Sequence, residues 1–506
     1  MRWNKIIITL SLIGASLSAC SDSFLDEDYN PNSLSPQTFW KDQSDILKGL
    51  TGTYGYLRSF AGWAASYERY FVVDNYRSDE MVFRPDVPEW DNIASFVNES
   101  TNATTVAEWT YLYKGINQAN QCIDNIPLVP GDSPELNQVK KSAVAEARFL
   151  RAYFYYRLYL NYGERVPIYT KELEQTDEEF YPDQAQPGEL VKLIESELIA
   201  VQEDLPEEYP AEFKGRATKY AAAAILGRFY MFRHELSKAE AQFSKLIGHF
   251  RLVDNYEDNF DGLHKNNAES VFEVQYSGDR SGGRRAYNNI AEHLLSSNAG
   301  GYEESYPSTW LFNVLKNDKT VDGKYSQRLY GTILFDDPLT KAWYIQEGEH
   351  FSDYDSPDKI YWKKFSSWDP SLSSEYWISA FNIPIVRYAD VLLLYAECLN
   401  DRGNTAEAIQ YINQVRQRAN VPDLRSTMTK EEVLRHLQDV ERPCELAFEG
   451  CRWYDLLRWG IVKQALVDHG KRFAENFIET KHTLFPIPHD EFLMNPDWVQ
   501  NPNFSK

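Results

Sequence analysis

Acidic side chains are the residues of this 506-residue chain most able to do chemistry, because paired carboxylates can act as acid and base in glycoside hydrolysis. Two groups of neighbours could supply such a pair, Asp79 with Glu80, and Asp490 with Glu491 after His489. Among 75 acidic residues, however, neighbouring acids occur by chance. The chain has no G-x-S-x-G or H-E-x-x-H motif, no P-loop and no dinucleotide-binding fingerprint. These observations predict that the protein is not an enzyme.

One acidic segment approaches a calcium-binding loop. Glu257, Asn259 and Asp261 have the spacing of the first half of an EF-hand loop. The twelfth position, where such a loop needs a bidentate glutamate, is Ala268. We therefore predict no metal site and no cofactor.

The amino terminus carries the features of an export signal. Arg2 and Lys5 precede an apolar run that is shorter than the roughly 20 residues needed to span a membrane. The run ends in the sequence LSAC, which resembles the lipobox of bacterial lipoproteins. This resemblance predicts a signal peptide over 1–19, a lipid on the thiol of Cys20 and a flexible acidic tether over 20–38.

Charge and cysteine content limit the possible partners and crosslinks. The net charge of -23 argues against nucleic acid, which is bound through patches of lysine and arginine. Cys122, Cys398, Cys444 and Cys451 are too few and too scattered for a disulfide framework. We predict that these four are mostly buried thiols.

Two segments share a repeat. Around Gly227 and Ala239 the chain has the order L-G-x-x-Y followed by A-x-x-x-F, which is the tetratricopeptide (TPR) pattern. Around Ala396 and Ala408 the same offsets recur, with twelve residues between the small residues in both cases. Small residues at these positions let two helices approach closely, so the repeat predicts helix pairs.

The expected fold is mainly α: a TPR-like helix-pair scaffold with long irregular loop insertions and a few short strands. The scaffold helices are predicted at about 106–250 and 384–460, where apolar residues recur at helical spacing. The segments at about 60–104 and 252–380 are rich in Gly, Asn, Asp, Ser and Pro, and they predict loops. Loops this long are usually functional, so we expect the ligand-binding regions there. Residues 39–506 are predicted to form a single domain.

Six blocks of the chain, in order, resemble the landmarks of the SusD/RagB family of outer-membrane nutrient-binding lipoproteins. They span 145–504 and read AEARFLRAYFYYRLYLNYGERVPIYT, GRATKYAAAAILGRFYM, ESVFEVQYS, IPIVRYADVLLLYAECLNDRGN, ELAFEGCRWYDLLRWG and LFPIPHDEFLMNPDWVQNPNF. The resemblance implies a SusD-like α-solenoid. It also implies a protein that is lipid-anchored in the outer membrane and faces the cell exterior. Such a protein captures oligosaccharides and delivers them, uncleaved, to a SusC-like TonB-dependent β-barrel transporter, which it covers as a lid.

A site for neutral sugars needs exposed aromatic faces beside polar side chains. The family has no invariant sugar-contact motif, so the resemblance points to regions and not to individual positions. Within those regions, aromatic residues and their polar neighbours predict a glycan-binding site made by Trp90, Asn92, Arg84, Tyr302, Trp63 and Tyr67.

Three alternatives stay open at this point. A RagB-like import lipoprotein would bind peptides, and the acidic surface would favour basic ones. A glycosidase would use one of the acid pairs named above. A TPR adaptor without a small ligand would not need the long loop insertions.

Overall fold

The structure is a computed structural model, and it is mainly α-helical with three two-stranded sheets among the residues it describes. It describes residues 39–58, 65–173, 181–279 and 286–506. This architecture confirms the predicted fold class. The predicted signal peptide (1–19), Cys20, the tether (20–38) and Trp63 lie outside the described residues.

Helices of seven residues or more form the scaffold. They are α1 (Gln43–Arg58), α2 (Pro88–Ala94), α3 (Ala103–Asn125), α4 (Pro134–Tyr162), α5 (Glu189–Asp204), α6 (Lys219–Phe232), α7 (Leu236–Phe243), α8 (Thr309–Asn317), α9 (Tyr388–Asp401), α10 (Thr405–Arg418), α11 (Lys430–His436), α12 (Arg452–Trp459) and α13 (Val462–Asp468). Shorter helices are Ala65–Tyr67, Val73–Asn75, Ile290–Leu294, Gln327–Thr332, Arg442–Leu446, Glu479–His482 and His489–Met494, with π-helical turns at Glu68–Val72 and Leu437–Glu441. Turns of 3₁₀ helix lie at Ile126–Leu128, Ala211–Phe213, Tyr256–Asn259, Ser297–Ala299, Phe351–Asp353 and Ala474–Asn476.

Local signals set the ends of the long helices α3 and α4, which pack against each other. The side chain of Asn102 caps α3 by accepting from the backbone N–H of Thr105 at 3.2 Å. Ser133 caps α4 in the same way, accepting from Leu136 N–H at 3.2 Å. Gly163 ends α4 with a φ of 81°, a conformation that glycine adopts without strain.

The two predicted helix pairs are present, as α6 with α7 and α9 with α10. A Cβ atom on Gly227 would lie 2.5 Å from the ring of Phe243, so the glycine of the repeat is what allows the first pair to close. Ala396, Ala408 and Ile412 are fully buried in the second pair. The TPR spacing therefore predicted real helix-helix contacts.

Three antiparallel sheets connect distant parts of the chain. The strands are β1 (Met81–Phe83), β2 (Ser270–Val274), β3 (Ser305–Pro307), β4 (Ile333–Leu334), β5 (Tyr361–Trp362) and β6 (Ile383–Arg387). They pair as β1 with β3, β2 with β6 and β4 with β5. Strand β2 lies within the block ESVFEVQYS and is one of the few short strands that the predicted fold includes.

The segments predicted as irregular contain more helix than expected. Helix α2 lies in the first segment, and α8 lies in the second. Pro88 occupies the first turn of α2, where backbone N–H groups have no partner within the helix. The missing N–H of proline therefore costs no hydrogen bond there. Ser308 caps α8 by accepting from Leu311 N–H at 3.2 Å. Some of the proline and serine residues that indicated loops therefore mark the beginnings of helices.

The helical segment before residue 460 is interrupted after Pro443 and not at it. The chain runs without a break from the π-helical turn Leu437–Glu441 into the short helix Arg442–Leu446, which contains Pro443. The break follows at 447–451, so Cys444 and Cys451 belong to different elements. All four described cysteines are free thiols, three of them buried, as predicted.

Buried ion pairs connect strand β6 to the short helix Arg442–Leu446 and to the turn that follows it. Arg387, at the end of β6, contacts Glu269 at 2.6 Å, Glu445 at 2.5 Å and Glu449 at 2.7 Å. All four side chains are 4% exposed or less. Removing one partner would leave a buried charge uncompensated, so we assign this group a structural role.

Candidate ligand-binding site

Strands β1 and β3 bring the two predicted ligand-binding loops together. They are antiparallel, with Val82 opposite Tyr306. Beyond the strands, the backbone N–H of Arg84 donates to the carbonyl oxygen of Glu304 at 2.9 Å. The Nη1 of Arg84 also donates to the carbonyl oxygen of Tyr302 at 2.5 Å. Two predicted site residues that are distant in the sequence, Arg84 and Tyr302, are therefore in direct contact.

Trp90 lies in helix α2 and not in a loop, and only 3% of the residue is exposed. Ile93 and Ala94 are buried beside it, because positions i, i+3 and i+4 share one helix face. The indole Nε1 donates to Glu68 Oε1 at 3.0 Å, and the ring lies 5.4 Å from the ring of Tyr67. The placement of Trp90 as an exposed platform is thus corrected: it supports the site from beneath.

Tyr67 is fully buried, which corrects its placement in an exposed loop. Its hydroxyl shares hydrogen bonds of 3.0 Å with the hydroxyls of Tyr76 and Ser305. Burial raises the pKa of Tyr67, so the hydroxyl stays protonated and can donate. Tyr67 therefore connects its own helical segment to strand β3.

The imidazole of His293 is the centre on which the predicted aromatic residues converge. Its ring stacks on Tyr67 at 4.4 Å, and its centroid lies 5.8 Å from those of both Trp90 and Tyr302. Burial lowers the pKa of His293 to about 3, so the ring is neutral near pH 7. Sequence reasoning missed His293. The apolar spacing of Ile290 and Leu294 around it was the available signal.

Asn92 and Trp63 are the other two predicted site residues of the first loop. Asn92 is half-buried in α2, where its carbonyl oxygen accepts from the backbone N–H of Val97 at 2.9 Å. Trp63 lies outside the described residues. On either side of the segment 59–64, the hydroxyl of Tyr276 donates to the carbonyl oxygen of Arg58 at 2.8 Å and hydrogen bonds with the hydroxyl of Ser66 at 3.0 Å.

Among the predicted aromatic residues that the structure describes, Tyr302 has the accessible ring, being 40% exposed. Its backbone N–H donates to the carbonyl oxygen of Glu292 at 2.8 Å, and its hydroxyl hydrogen bonds with the Glu292 carboxylate. Behind it, the hydroxyl of Tyr376 donates to the carbonyl oxygen of Gly300 at 3.2 Å. A Cβ atom on Gly300 would lie 2.6 Å from that hydroxyl, so glycine is required for this approach.

Further aromatic rings extend the surface from Tyr302. Trp343 stacks on Tyr376 with 5.8 Å between the ring centroids and 24° between their planes. Trp368 meets Trp343 edge to face at 5.1 Å. These three rings are partly exposed. We call Tyr302, Trp343, Trp368 and Tyr376 the aromatic belt; sequence reasoning placed its last three members in a ligand-binding region without naming them.

Carboxyl groups line the edge of the belt near Tyr302. Burial and the neighbouring carboxylate of Asp86 raise the pKa of Glu304 to about 8. The same two causes raise the pKa of Asp91 to about 6. Arg84 Nε contacts Asp86 at 2.8 Å and offsets part of this charge. We call Asp86, Asp91 and Glu304 the acidic rim.

Neither acid pair considered for hydrolysis lies at the belt. Asp79 and Glu80 are each 1% exposed. Asp79 contacts Arg452 at 2.7 Å and His469 at 2.6 Å, while burial raises the pKa of Glu80 to about 8. Glu491 accepts from the indole Nε1 of Trp109 at 2.9 Å.

One group of described residues could hold a metal ion by geometry alone. The ligand atoms of Asp258, Asp261 and His264 lie within 4.8 Å of one another. His264 Nδ1 is 2.7 Å from Asp261, so the two side chains already satisfy each other. Asp261 was also part of the segment that resembles half an EF-hand loop.

Comparison with known proteins identifies the family. Residues 268–504 match a family model described as the SusD family. Residues 23–231 match a second one, described as starch-binding and associating with the outer membrane. This chain belongs to the SusD/RagB family.

Individual members of the SusD/RagB family are similar over almost the whole length of the chain. The SusD-like protein P25 of Formosa agariphila is 26% identical, with 98% of each chain covered. A crystal structure of a SusD superfamily protein from Bacteroides vulgatus superposes with a TM-score of 0.80 at 26% identity, covering 92% of this chain and 99% of that one. A laminarin-binding SusD-like protein superposes with a TM-score of 0.75 at 25% identity, covering 92% of this chain and all of that one.

Within the described residues, no helix is both long and apolar enough to cross a bilayer.

Proposed function

We propose that this chain binds an oligosaccharide on the aromatic belt and delivers it to a SusC-like TonB-dependent transporter of the outer membrane. The observation that carries the proposal is the belt itself, in which four partly exposed aromatic rings from three chain segments adjoin polar groups of a fourth. Similarity to a protein described as laminarin-binding supports a glycan as the ligand class.

The chemistry of the belt suits a neutral sugar. Apolar C–H faces of sugar rings stack on Trp343, Tyr376 and the exposed face of Tyr302, while the tyrosine hydroxyls orient the sugar hydroxyls. Arg84 is exposed beside Tyr302 and offers N–H donors to the same ligand. The buried residues Tyr67, Trp90 and His293 hold the loops in place, so the surface is formed before the ligand arrives.

The lipobox and the family support a location at the outer membrane. A lipid on Cys20 anchors the protein in the outer membrane, with the body outside the cell. More than one acyl chain is needed for stable anchoring, which a lipoprotein cysteine supplies. The description of the family model that matches residues 23–231 supports this location. In this arrangement the helical body covers the transporter as a lid.

Calorimetry on the lipid-free body, residues 21–506, tests the ligand class. The probes are laminarihexaose, maltohexaose, cellohexaose and xylohexaose, with a panel of short basic and neutral peptides. We expect one sugar class to bind. We also expect Tyr302→Ala and Trp343→Ala each to weaken binding about tenfold, since a stacked ring contributes about 1 kcal/mol beyond its buried area.

Tyr411→Ala is the matched control, because Tyr411 is a partly exposed ring on α10 and belongs to the TPR scaffold. If oligosaccharide binding survives both belt substitutions, the proposed function stands, but the aromatic belt is not the binding site. Binding of peptides without any sugar response would replace the glycan proposal with the RagB-like alternative. For the anchor, Cys20→Ser should release the protein from the membrane fraction, and the native protein should copurify with a β-barrel transporter.

A further inference from the structure

A second concave surface lies on the helical body and shares no residue with the aromatic belt. It is a groove of about 710 Å³ between helix α3, the segment 167–173 and the carboxyl-terminal helix His489–Met494. Ligand pockets in proteins usually have volumes of about 300–1,000 Å³. We call this surface the α3 groove.

One wall of the α3 groove is held rigidly by side chains of α3 and α4. The hydroxyl of Tyr113 donates to the carbonyl oxygen of Pro167 at 2.8 Å. Asn120 Nδ2 donates to the carbonyl oxygens of Tyr169 at 3.2 Å and Lys171 at 2.9 Å. Arg151 also donates to this segment, at the carbonyl oxygen of Thr170. The wall therefore exists before any ligand binds.

Polar side chains of α3 line the groove at helical spacing. Tyr113, Asn117 and Gln121 follow each other at intervals of four, and Lys114 and Gln118 lie next to them. Residues four apart share one face of a helix, so these groups form a ladder of hydroxyl and amide groups. Aromatic rings adjoin the ladder, since Tyr113 meets Tyr169 edge to face at 5.7 Å.

Among the residues that the structure describes, charged side chains of both signs line the groove. Its charged side chains are Lys114, Lys171, Asp490 and Glu491. Burial raises the pKa of Glu491, whose carboxylate accepts from Trp109 Nε1 at 2.9 Å. The described lining residues thus include two lysines and two acids.

The wall is poorly suited to an extended peptide. Peptides that bind in a groove as an added strand hydrogen bond with backbone groups of the protein. Here the carbonyl groups of 167 and of 169–171 already accept from Tyr113, Asn120 and Arg151. The N–H of Tyr169 donates to the hydroxyl of Tyr155 at 2.6 Å. Amide side chains and tyrosine rings line the groove, and these groups suit the hydroxyls and the ring faces of a sugar.

We propose that the α3 groove is a second binding site, separate from the belt, for a neutral oligosaccharide. The proposal rests on the proposed function for its ligand class, because the same glycan would serve both sites.

Calorimetry on a protein that lacks the belt isolates the groove. The double variant Tyr302→Ala/Trp343→Ala is titrated with the same four hexasaccharides. We expect residual binding of the sugar class that binds the wild type, and two sites per chain in the wild type. Adding Asn117→Trp should weaken the residual binding at least tenfold, because Asn117 is an exposed residue of the ladder and the larger ring fills the groove.

Gln410→Trp is the matched control, since Gln410 is exposed on α10 and does not line the groove. Gln121→Trp is a second blocking variant, and thermal unfolding shows whether each variant is folded. One site per chain in the wild type, lost completely in the belt variant, would overturn the second site and leave the proposed function intact. A wild type that binds none of the sugars would overturn both. Peptide binding that Asn117→Trp abolishes would overturn the ligand class.

Discussion

The ring of Tyr67 stacks on His293 with 4.4 Å between the ring centroids and 17° between their planes. Tyr67 belongs to the helical segment before β1, and His293 belongs to the short helix before Tyr302. Neither ring is exposed. The stack therefore fixes the two loop regions of the belt relative to each other without forming part of its surface.

Replacing His293 should change the pH dependence of stability. Burial lowers its pKa to about 3, whereas the unfolded chain has a value near 6.5. The unfolded state therefore binds the extra proton first, and stability is lost as the pH falls from about 6.5 towards 3. At pH 5 this loss is about 2 kcal/mol for the wild type. His293→Phe should abolish this pH-dependent loss of stability, while the ring stack on Tyr67 remains.

Denaturant unfolding at pH 5 and pH 7.5 measures this difference for both proteins. His293→Ala serves as the comparison, because it also removes the stack; it should cost about 3 kcal/mol relative to the wild type at pH 7.5 and about 1 kcal/mol at pH 5, where the wild type has itself lost about 2 kcal/mol. An equal pH dependence in the wild type and His293→Phe would show that His293 is not buried in its neutral form.

Gly300 should be essential for the shape of the belt. Its φ is 86°, and an added Cβ would lie 2.6 Å from the hydroxyl of Tyr376. Gly300→Ala should therefore displace Tyr376 and weaken oligosaccharide binding about tenfold. Gly323→Ala is the matched control, because Gly323 has a φ of 78° but nothing within 4 Å of its Cβ position. Both variants should lose about 1–2 kcal/mol of stability through backbone strain, and only the first should lose affinity in calorimetry.

A second pair of glycines tests the helix packing of the scaffold. Gly227→Ala places a methyl group 2.5 Å from the ring of Phe243 and should destabilise the protein by about 1–3 kcal/mol. Gly52→Ala, in the middle of α1, has nothing within 4 Å and should stabilise it by about 0.5–1 kcal/mol. Thermal unfolding measures both. The same sign of change in both variants would contradict the packing described for α6 and α7.

The ionised members of the acidic rim should make the belt select against anionic glycans. Because the pKa of Glu304 is raised to about 8, this residue is mostly protonated near pH 7. Asp86 and Asp91 therefore carry the negative charge, and Arg84 is the cation beside Asp86. A uronic or sulfated oligosaccharide should bind more weakly than its neutral analogue, and raising the salt concentration from 0.05 to about 0.5 M should reduce the difference through screening. Asp86→Asn should also reduce it. Asp132→Asn, an exposed change on the loop before α4, should leave it unchanged. Equal affinities for the two analogues at low salt would rule out this selectivity.

The aromatic residues of the first loop show where sequence reasoning reached its limit. The sequence WDN after a proline indicated an exposed loop around Trp90, and the same residues form the first turns of α2. A short helix and a loop share proline, aspartate and asparagine as start signals, so the local sequence does not separate them. Which side of Trp90 faces the core depends on Glu68 and Tyr67, and these contacts form only in the folded chain.

The contact between Arg84 and Tyr302 shows a second limit of the sequence. Both loops were predicted as ligand-binding regions from composition and family resemblance, and their pairing through β1 and β3 was not. Strands of three residues carry too little periodicity to reveal a partner more than 200 residues away. Trp343, Trp368 and Tyr376 were not named for a related reason: their local sequence does not show which partners they meet in the folded chain.

The sequence by itself determined the helical scaffold, because the spacing of small and apolar residues in a helix pair is local. Gly227 and Ala239 lie twelve residues apart and pack within one pair, so the pattern records the contact directly. Only the tertiary structure decided which aromatic rings are buried and which form the belt. Tryptophan and tyrosine serve equally well in a core and at a surface, and their exposure is set by segments far apart in the sequence.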